Sequence, residues 1–301
     1  MARRDRWSSV EKGAEAAYIA AMDGIPFIKM HGLGNDFVIV DARTSPVEIN
    51  EALAQAIANR RTGVGCDQLI VLESSDKADV FMRIWNPDGS EAGACGNATR
   101  CVGALLIAGA RRNEVSIETV SGLLLAASAP DGYITVDMGE PRLDWSEIPL
   151  ARAMDTVKLD YAAAPGMAGP SAVNMGNPHV VFFVDDAESV KVEALGPAIE
   201  HDPLFPQRTN VSFVSKQKDG SLRVVVWERG AGRTLACGTA ACATVVAATR
   251  RGLVDRKAVI WMDGGRLDME WRESDGHVIM TGPVAVAFSG VIALPPRVKA
   301  A

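Results

Sequence analysis

Two short segments of the chain repeat a pattern centred on a cysteine, once at position 95 and once at position 237. The first copy begins Ala94-Cys95-Gly96-Asn97 and the second Ala236-Cys237-Gly238-Thr239, and each opens a long apolar run with helix-like composition. A cysteine at a helix start lies beside unpaired backbone N–H groups, which favour the thiolate over the thiol. Two such thiols in the two halves of one chain could act on opposite faces of one carbon. The repeat therefore predicts the proton removal and proton delivery of a racemase or epimerase.

The remaining cysteines are expected to have no part in this chemistry. Cys66, Cys101 and Cys242 are interpreted as packing residues, since cysteine is among the residue types most often buried. The spacing within each cysteine pair, with no nearby histidine, is unlike that of a zinc site, so no metal is predicted. An odd total of five cysteines without a secretory signal predicts reduced thiols in a cytoplasmic protein.

No cofactor is predicted either. Gly32-Leu33-Gly34 lacks the third glycine and the following helix of a nucleotide-binding fingerprint. Two helix N-termini offer another way to stabilise a carbanion, because their N–H groups can hold a carboxylate and absorb the charge that develops on it. The expected chemistry is therefore an acid/base reaction of the two thiols alone.

Composition and charge limit the partners. The chain has 301 residues, 48% of them hydrophobic, and a formal net charge of −6. Without a basic excess, a nucleic-acid or anionic-membrane partner is not expected. No apolar run approaches the roughly 20 residues that span a bilayer. We expect a small-molecule substrate, and we leave the oligomeric state open with a homodimer as the expectation.

The order of predicted elements is the same in both halves: two strands, a helix, two strands, an apolar helix and three strands. A helix that is apolar all round is usually buried, so each half should be a curled or barrel-like, mostly antiparallel sheet around a central helix. This is an α+β class with two pseudo-symmetric domains whose central helices point their N-termini into one cleft. The predicted helices are Val47–Arg60, Ala98–Arg111, Glu188–Glu200 and Thr239–Arg251, and the second half is predicted to open with the strands Val157–Tyr161 and His179–Val184.

The predicted domain division follows from this repeat. Gly-Glu-Pro ends the first half near Gly139–Leu143. The segments are an N-terminal extension (residues 1–23, poorly ordered), a first α+β half carrying Cys95 (24–140), a second half carrying Cys237 (141–282), and a C-terminal segment (283–301) that returns to the first domain.

Several further motifs occur in an order and spacing that resemble the diaminopimelate epimerase family. They are Lys29-Met30-His31-Gly32-Leu33-Gly34-Asn35-Asp36-Phe37, Gly65-Cys66-Asp67-Gln68, Asn86-Pro87-Asp88-Gly89-Ser90-Glu91, Asn174-Met175-Gly176-Asn177-Pro178-His179 and Trp227-Glu228-Arg229-Gly230-Ala231-Gly232, together with both cysteine segments. The resemblance covers the chain from Ile25 onward. It implies a cofactor-independent isomerase that converts LL-2,6-diaminopimelate into the meso isomer, a step towards lysine and peptidoglycan.

The resemblance also implies a role for individual residues. Cys95 and Cys237 are the implied acid/base pair, and His179 and Glu228 the residues that tune the thiols. A substrate with two carboxylates and two ammonium groups suits a forked cation, an anion and several amides. The implied substrate-binding residues are Asn35, Gln68, Asn86, Gly96, Asn97, Asn177, Asn210, Glu228, Arg229, Gly238 and Thr239.

Other functions remain open at this point. A two-cysteine proline or hydroxyproline racemase would use the same chemistry but would not need Glu228, Arg229 and so many amides. A thiol redox protein or a non-catalytic relative of the fold is the alternative of another class; no Cys-x-x-Cys motif supports the former, and the presence of both cysteines disfavours the latter. The sequence departs from the family pattern at Ala98-Thr99 and Ala240, where glycine-rich variants are expected, and the added methyl groups could narrow the carboxylate pocket.

Overall fold

The computed structural model describes residues 24–164 and 166–293, so the predicted extension at residues 1–23 lies outside the described part of the chain. Its first half contains eight strands and two helices. In chain order they are β1 (Gly24–Gly32), β2 (Asn35–Asp41), α1 (Glu51–Ala58), β3 (Gln68–Glu73), β4 (Val80–Trp85), β5 (Glu91–Ala92), α2 (Gly96–Ala110), β6 (Glu114–Thr119), β7 (Gly122–Ser128) and β8 (Ile134–Asp137).

The second half repeats this order after a short hairpin. Its elements are β9 (Ala162–Ala164), β10 (Met167–Ala168), β11 (Ser171–Asn174), β12 (Pro178–Phe183), α3 (Val192–Glu200), β13 (Asn210–Lys216), β14 (Leu222–Glu228), β15 (Gly232–Arg233), α4 (Gly238–Arg250), β16 (Lys257–Met262), β17 (Gly265–Trp271), β18 (Val278–Gly282) and β19 (Ala285–Ala293).

The strand pairing gives the two halves one topology. In the first half α1 connects the parallel pair β2–β3, and α2 connects the parallel pair β4–β6. In the second half α3 and α4 connect the parallel pairs β12–β13 and β14–β16 in the same way. The other strand pairs of the described residues are antiparallel. The predicted α+β class, a curled and mostly antiparallel sheet repeated in two halves, is confirmed.

Each central helix supplies the core of its half. The side chains of α4 from Ala240 to Ala248 are fully buried and pack with the apolar faces of the surrounding strands. In α2 the segment from Gly96 to Gly103 is buried, whereas the last turn, Ala108–Ala110, is exposed. The expectation that this helix is buried is therefore wrong for its last turn.

Two pairings join the halves. β8 of the first half pairs antiparallel with β18 of the second, with Val136 opposite Met280. The last strand, β19, pairs antiparallel with the first, β1, and places Ile25 opposite Ile292. The sheet consequently runs without a break from one half into the other. The division between residues 140 and 141 stays a prediction.

The structure corrects the predicted start of the second half. Val157–Tyr161 is not a strand, because the chain turns back there: the N–H of Tyr161 bonds to the carbonyl of Leu159 at 2.9 Å. The apolar alternation that suggested a strand reflects the burial of Leu159 in the core beside α3. β11 takes the first position in the sheet instead. The helices α1 and α3 are also shorter than predicted; α1 begins at Glu51 because the Asn50 side chain caps it, accepting from the N–H of Leu53 at 2.9 Å.

A buried ion pair holds the start of the first half together. The Lys29 ammonium, in a side chain only 8% exposed, lies 2.7 Å from Oδ2 of Asp36, and Arg60 lies 2.6 Å from Oδ1. Burial would raise the pKa of the Asp36 carboxyl, but the hydrogen bonds from Arg60 and Lys29 outweigh it and hold the pKa well below its usual range. Asp36 therefore stabilises the fold above its unfolded pKa of about 4, and this stabilisation is lost as the pH falls.

Replacing Asp36 with Asn should lower the free energy of unfolding by about 2–3 kcal/mol at pH 7, because Lys29 is left buried without its anion. Urea unfolding at pH 7 and pH 3 measures this, and the difference from the unsubstituted protein should shrink at the lower pH. Asp41→Asn, which breaks an exposed pair with Arg43, is the control and should change stability by under about 0.5 kcal/mol. An equal loss at both pH values would contradict the assignment.

Candidate active site

The two cysteines of the repeat occupy the same place in the two halves. Cys95 is the residue before α2 and Cys237 the residue before α4, and both have extended backbone conformations without a capping side-chain hydrogen bond. The two helix starts meet at Met280 of β18. A Cβ added to Gly96 would lie 2.8 Å from the Met280 methyl, and one added to Gly238 would lie 3.2 Å from it. Both helix N-termini therefore point towards one place, and glycine permits their close approach.

A cleft of about 1030 Å³ opens in front of these helix starts. It receives residues from both halves, including several asparagines, two arginine-bearing loops and both cysteines. Its lining is Gly34, Asn35, Arg60, Asp67, Gln68, Asn86, Pro87, Asp88, Ala94, Cys95, Gly96 and Asn97 from the first half, and Asn177, Glu228, Arg229, Gly230, Ala231, Arg233, Thr234, Leu235, Ala236, Cys237, Gly238, Thr239 and Asp263 from the second.

Both thiols are more basic than the sequence suggested. Burial raises the pKa of Cys95 to about 11, against hydrogen bonds from the backbone N–H groups of Ala98 and Asn97. Burial and the charge of Glu228 raise the pKa of Cys237 well above its usual value. The expectation that the helix N-termini leave the thiolates favoured is wrong in this structure, because the desolvation of a charged sulfur outweighs the N–H groups.

A chain of hydrogen bonds leads from a buried histidine to the Cys237 thiol. The ring of His179 is fully buried, and its Nε2 lies 2.9 Å from Oδ1 of Asn177. The Asn177 amide donates to the Thr239 hydroxyl at 3.3 Å, and that hydroxyl lies 3.5 Å from the Cys237 sulfur. Burial, with the charge of Arg229, lowers the pKa of His179 to about 3, so the ring is neutral and its Nε2–H donates to Asn177.

Glu228 acts on the same sulfur. Its carboxylate accepts hydrogen bonds from the Cys237 thiol and from the Thr234 hydroxyl. Burial raises the pKa of Glu228 in spite of these two hydrogen bonds. Because the thiol donates to the carboxylate, Cys237 is held in its protonated form.

Two asparagines of the first half, Asn35 and Asn97, are oriented by an aspartate. Oδ2 of Asp67 accepts from the Asn35 amide at 2.9 Å, and Oδ1 of Asn35 accepts from the Asn97 amide at 3.1 Å. The Asn97 amide also reaches the Ala236 carbonyl of the second half at 3.3 Å. Each amide thus has a fixed orientation, and the series links the two cysteine segments.

Most of the predicted site residues lie in the cleft. Asn35, Gln68, Asn86, Gly96, Asn97, Asn177, Glu228, Arg229, Gly238 and Thr239 all line it with the two cysteines. Asn210 lies behind the lining of the cleft. Its Oδ1 accepts a hydrogen bond from the backbone N–H of Arg229 at 2.9 Å, and its amide donates to the Pro178 carbonyl at 2.9 Å. His179 is also behind the lining and reaches the site through Asn177. Asn210 therefore positions Arg229 from beneath.

Four polar residues of this region were not predicted from the sequence to have a role in the site. Asp67 and Arg60 fix the first-half loop, Thr234 binds Glu228, and Arg100 lies fully buried in α2. The quoted motifs contained Asp67 but gave no sign of its partner.

The departures Ala98 and Ala240 do not narrow the cleft, since both methyl groups pack into the cores of their halves. The hydroxyl of Thr99 bonds back to the Cys95 carbonyl at 2.8 Å.

Within residues 24–164 and 166–293, no group of three or more His, Cys, Asp or Glu side chains is placed to hold a metal ion. The same residues contain no helix with the length and apolar character needed to cross a bilayer.

A family model described as diaminopimelate epimerase matches residues 27–143 and 171–287, which contain both cysteine segments. The chain belongs to the diaminopimelate epimerase family. The diaminopimelate epimerase of Rhodospirillum centenum is 58% identical over 266 residues, or 88% of this chain and 91% of that protein. The diaminopimelate epimerase of Phenylobacterium zucineum is 55% identical over 275 residues, or 90% of this chain and 99% of that protein.

Solved structures of lower similarity share the fold of this diaminopimelate epimerase family member. A phenazine biosynthesis protein of the PhzF family from Bacillus anthracis has a TM-score of 0.66 at 17% identity, covering 91% of this chain and 100% of its own. A hydroxyproline epimerase from Agrobacterium vitis has a TM-score of 0.64 at 15% identity, covering 91% of this chain and 94% of its own. At such identities the likeness concerns the fold alone.

Proposed function

We propose that the protein is a diaminopimelate epimerase, a cofactor-independent isomerase that interconverts LL- and meso-2,6-diaminopimelate with Cys95 and Cys237 as its acid/base pair. The family membership supports the reaction. The observation that carries the two-thiol mechanism is the placement of the two cysteines, each directly before a buried helix, in one cleft between the halves. The proposed setting is lysine and peptidoglycan precursor synthesis in the cytoplasm, with a homodimer as the proposed assembly.

In the proposed reaction one cysteine is a thiolate and the other a thiol. The thiolate takes the α-hydrogen as a proton, and the electron pair left on the carbon spreads into the neighbouring carboxylate. The thiol on the opposite face then gives its proton to that carbon, so the configuration inverts and the two sulfurs exchange protonation states. Reversal of the same steps returns the first isomer.

The helix starts supply the electrostatic part of catalysis. The backbone N–H groups at Gly96, Asn97, Gly238 and Thr239 belong to the two first turns, whose N–H groups have no helical partner. A carboxylate placed between them gains hydrogen bonds that strengthen as negative charge moves onto its oxygens.

The rest of the cleft suits the distant end of the substrate. Arg229 offers a forked cation for the second carboxylate, and Glu228 an anion for an ammonium group. Both lie in the cleft with the amides of the first and second halves. A ring with a single carboxylate, as in proline or hydroxyproline, would leave this cation and anion without partners.

Incubation of the purified protein with LL-diaminopimelate in deuterium oxide, without added cofactor, tests the proposal. We expect meso-diaminopimelate with deuterium at the inverted α-carbon, detected by mass spectrometry and chiral chromatography. Activity that is abolished by a chelator, or that needs added pyridoxal phosphate, would contradict the two-thiol mechanism. Turnover of proline or hydroxyproline in place of diaminopimelate would overturn the substrate.

A further inference from the structure

The most unusual side chain of the described residues is Arg100, in the second turn of α2. It is 0% exposed and is one of the largest fully buried side chains. Arginine is almost never buried in this way without a partner, since a guanidinium stays charged at any physiological pH. Its presence in the middle of a core helix therefore needs a reason.

The guanidinium has hardly any polar contact. Its Nη1 donates to the thioether sulfur of Met280 at 3.1 Å, a weak acceptor. Its Nε and Nη2 have no hydrogen-bond partner, and no carboxylate of the described residues lies within ion-pair distance. A buried charge without an anion destabilises a fold by several kcal/mol, on the order of the whole margin of stability.

The surrounding backbone leaves room for this side chain. A Cβ on Gly32 would lie 2.9 Å from Nη2, and one on Gly282 would lie 3.4 Å from Nε. Glycine on both sides thus makes the space in which the guanidinium sits. Because a side chain at Gly32 would collide with the guanidinium and one at Gly282 would press against it, the two glycines hold the charge in one defined position.

The charge lies directly behind the two helix starts. Met280 contacts the guanidinium through its sulfur, and its methyl group lies 2.8 Å and 3.2 Å from the positions that a Cβ would take on Gly96 and Gly238. One side chain therefore separates Arg100 from the first residue of each central helix. The groups that can carry negative charge near the guanidinium are the thiols of Cys101, Cys95 and Cys242.

Two of these three thiols cannot supply the anion. Cys101 and Cys242 are 0% exposed and enclosed in the cores around α2 and α4, where neither solvent nor substrate can exchange a proton with them. Cys95 differs because it lines the cleft and its sulfur is the one that gains and loses a proton in the proposed reaction. Glu228 is the other charged group that acts on Cys95. Its negative charge raises the pKa of the thiol, whereas the positive charge of Arg100 lowers it.

We propose that Arg100 is a positioning residue of the reaction: its buried positive charge stabilises the thiolate form of Cys95 and the carboxylate held between the helix starts. The inference rests on the proposed function, and it explains how the Cys95 sulfur can become anionic in spite of its desolvation. Arg100 and Glu228 then make the two thiols unequal, since the cation favours the thiolate of Cys95 and the anion favours the thiol of Cys237.

The test compares Arg100→Met, which has similar length and no charge, with Arg100→Lys, which carries the charge only at the acidic end of the pH range because burial lowers the pKa of the amine. Alkylation of Cys95 by iodoacetamide is followed across pH 6–11 by mass mapping of the peptide that carries it, which requires no epimerase activity. We expect Arg100→Met to lower the alkylation rate about tenfold at a pH below the pKa of the thiol, since a rise of about one unit in that pKa lowers the thiolate fraction tenfold, and Arg100→Lys to recover more of the rate at the acidic end of the range than at the alkaline end.

A second readout separates this role from packing. Removal of an unpaired buried charge should leave the melting temperature of Arg100→Met unchanged or higher, while kcat falls by about tenfold or more. Arg250→Met is the matched control, because Arg250 lies half-buried at the far end of α4 and bonds to the Thr156 hydroxyl. It should leave the alkylation profile of Cys95 unchanged.

Some outcomes would overturn the inference. An unchanged alkylation profile in Arg100→Met would show that the charge does not act on Cys95. Failure of Arg100→Met to fold, or a lower melting temperature with normal kcat, would make Arg100 a structural residue. If the deuterium experiment fails while Arg100→Met still slows alkylation, the proposed reaction is wrong but the charge on Cys95 stands.

Discussion

Cys95→Ala and Cys237→Ala should each reduce the epimerisation rate by at least about 10³-fold, because inversion needs a group on both faces of the carbon. The thiol that remains still faces one side of the substrate. Any residual exchange of the α-hydrogen with solvent should therefore be confined to one stereoisomer in each variant, and to opposite isomers in the two. Chiral chromatography and deuterium incorporation measure inversion and exchange separately.

The other buried cysteines provide matched controls for this experiment. Cys101 and Cys242 are 0% exposed and belong to the cores around α2 and α4. Their replacement by Ala should keep turnover within about threefold and lower the free energy of unfolding by about 1–2 kcal/mol through lost packing. Near-normal turnover in Cys95→Ala or Cys237→Ala would refute the two-thiol mechanism.

Glu228→Gln should have the second largest effect on turnover. It should lower kcat/KM and, at the same time, make the Cys237 thiol more reactive. Loss of the anion should lower kcat/KM by about 100-fold or more, since a substrate ammonium would be buried without its partner. The pKa of Cys237 should fall, because the carboxylate that accepts its proton and raises its pKa by charge is gone. Alkylation of Cys237 at pH 8 should therefore be faster in the variant than in the unsubstituted protein.

Glu193→Gln is the control for Glu228→Gln. Glu193 is exposed and pairs with Arg233 at the rim of the cleft, 3.1 Å away. Its replacement should change kcat/KM by less than about threefold. Slower Cys237 alkylation in Glu228→Gln would show that the carboxylate does not hold the proton of the thiol.

The fold was predictable as far as it depends on local pattern. The repeat of the element order and the two apolar helices can be read along the chain, because each element has its own period and its own turn residues. The segment Val157–Tyr161 misleads because an irregular stretch that buries Leu159 has the same alternation as a strand. β19 gave no local signal, since its pattern is interrupted at Ser289-Gly290 and only its pairing with β1 makes it a strand.

The candidate site was predictable where a motif carries its own chemistry. The two cysteines stood out by residue type and by their repeat, whereas the asparagines and Glu228 were assigned from the family resemblance, and most of these residues line one cleft. The supporting residues did not stand out, because their roles arise from partners far away in sequence. Asp67 acts through Asn35, and Arg100 is exceptional only once its complete burial and its lack of an anion are known. Burial also reversed the expected acidity of the thiols.

The exchange of strands between the halves has a consequence for any attempt to separate them. β1 of the first half is covered by β19 from the end of the chain, and β8 is covered by β18. A first half produced alone would therefore present two bare sheet edges, which are templates for aggregation. Added peptide of the β19 sequence should reduce that aggregation by occupying one edge. Although the two halves repeat one element order, we expect the first half to need the second in order to stay soluble.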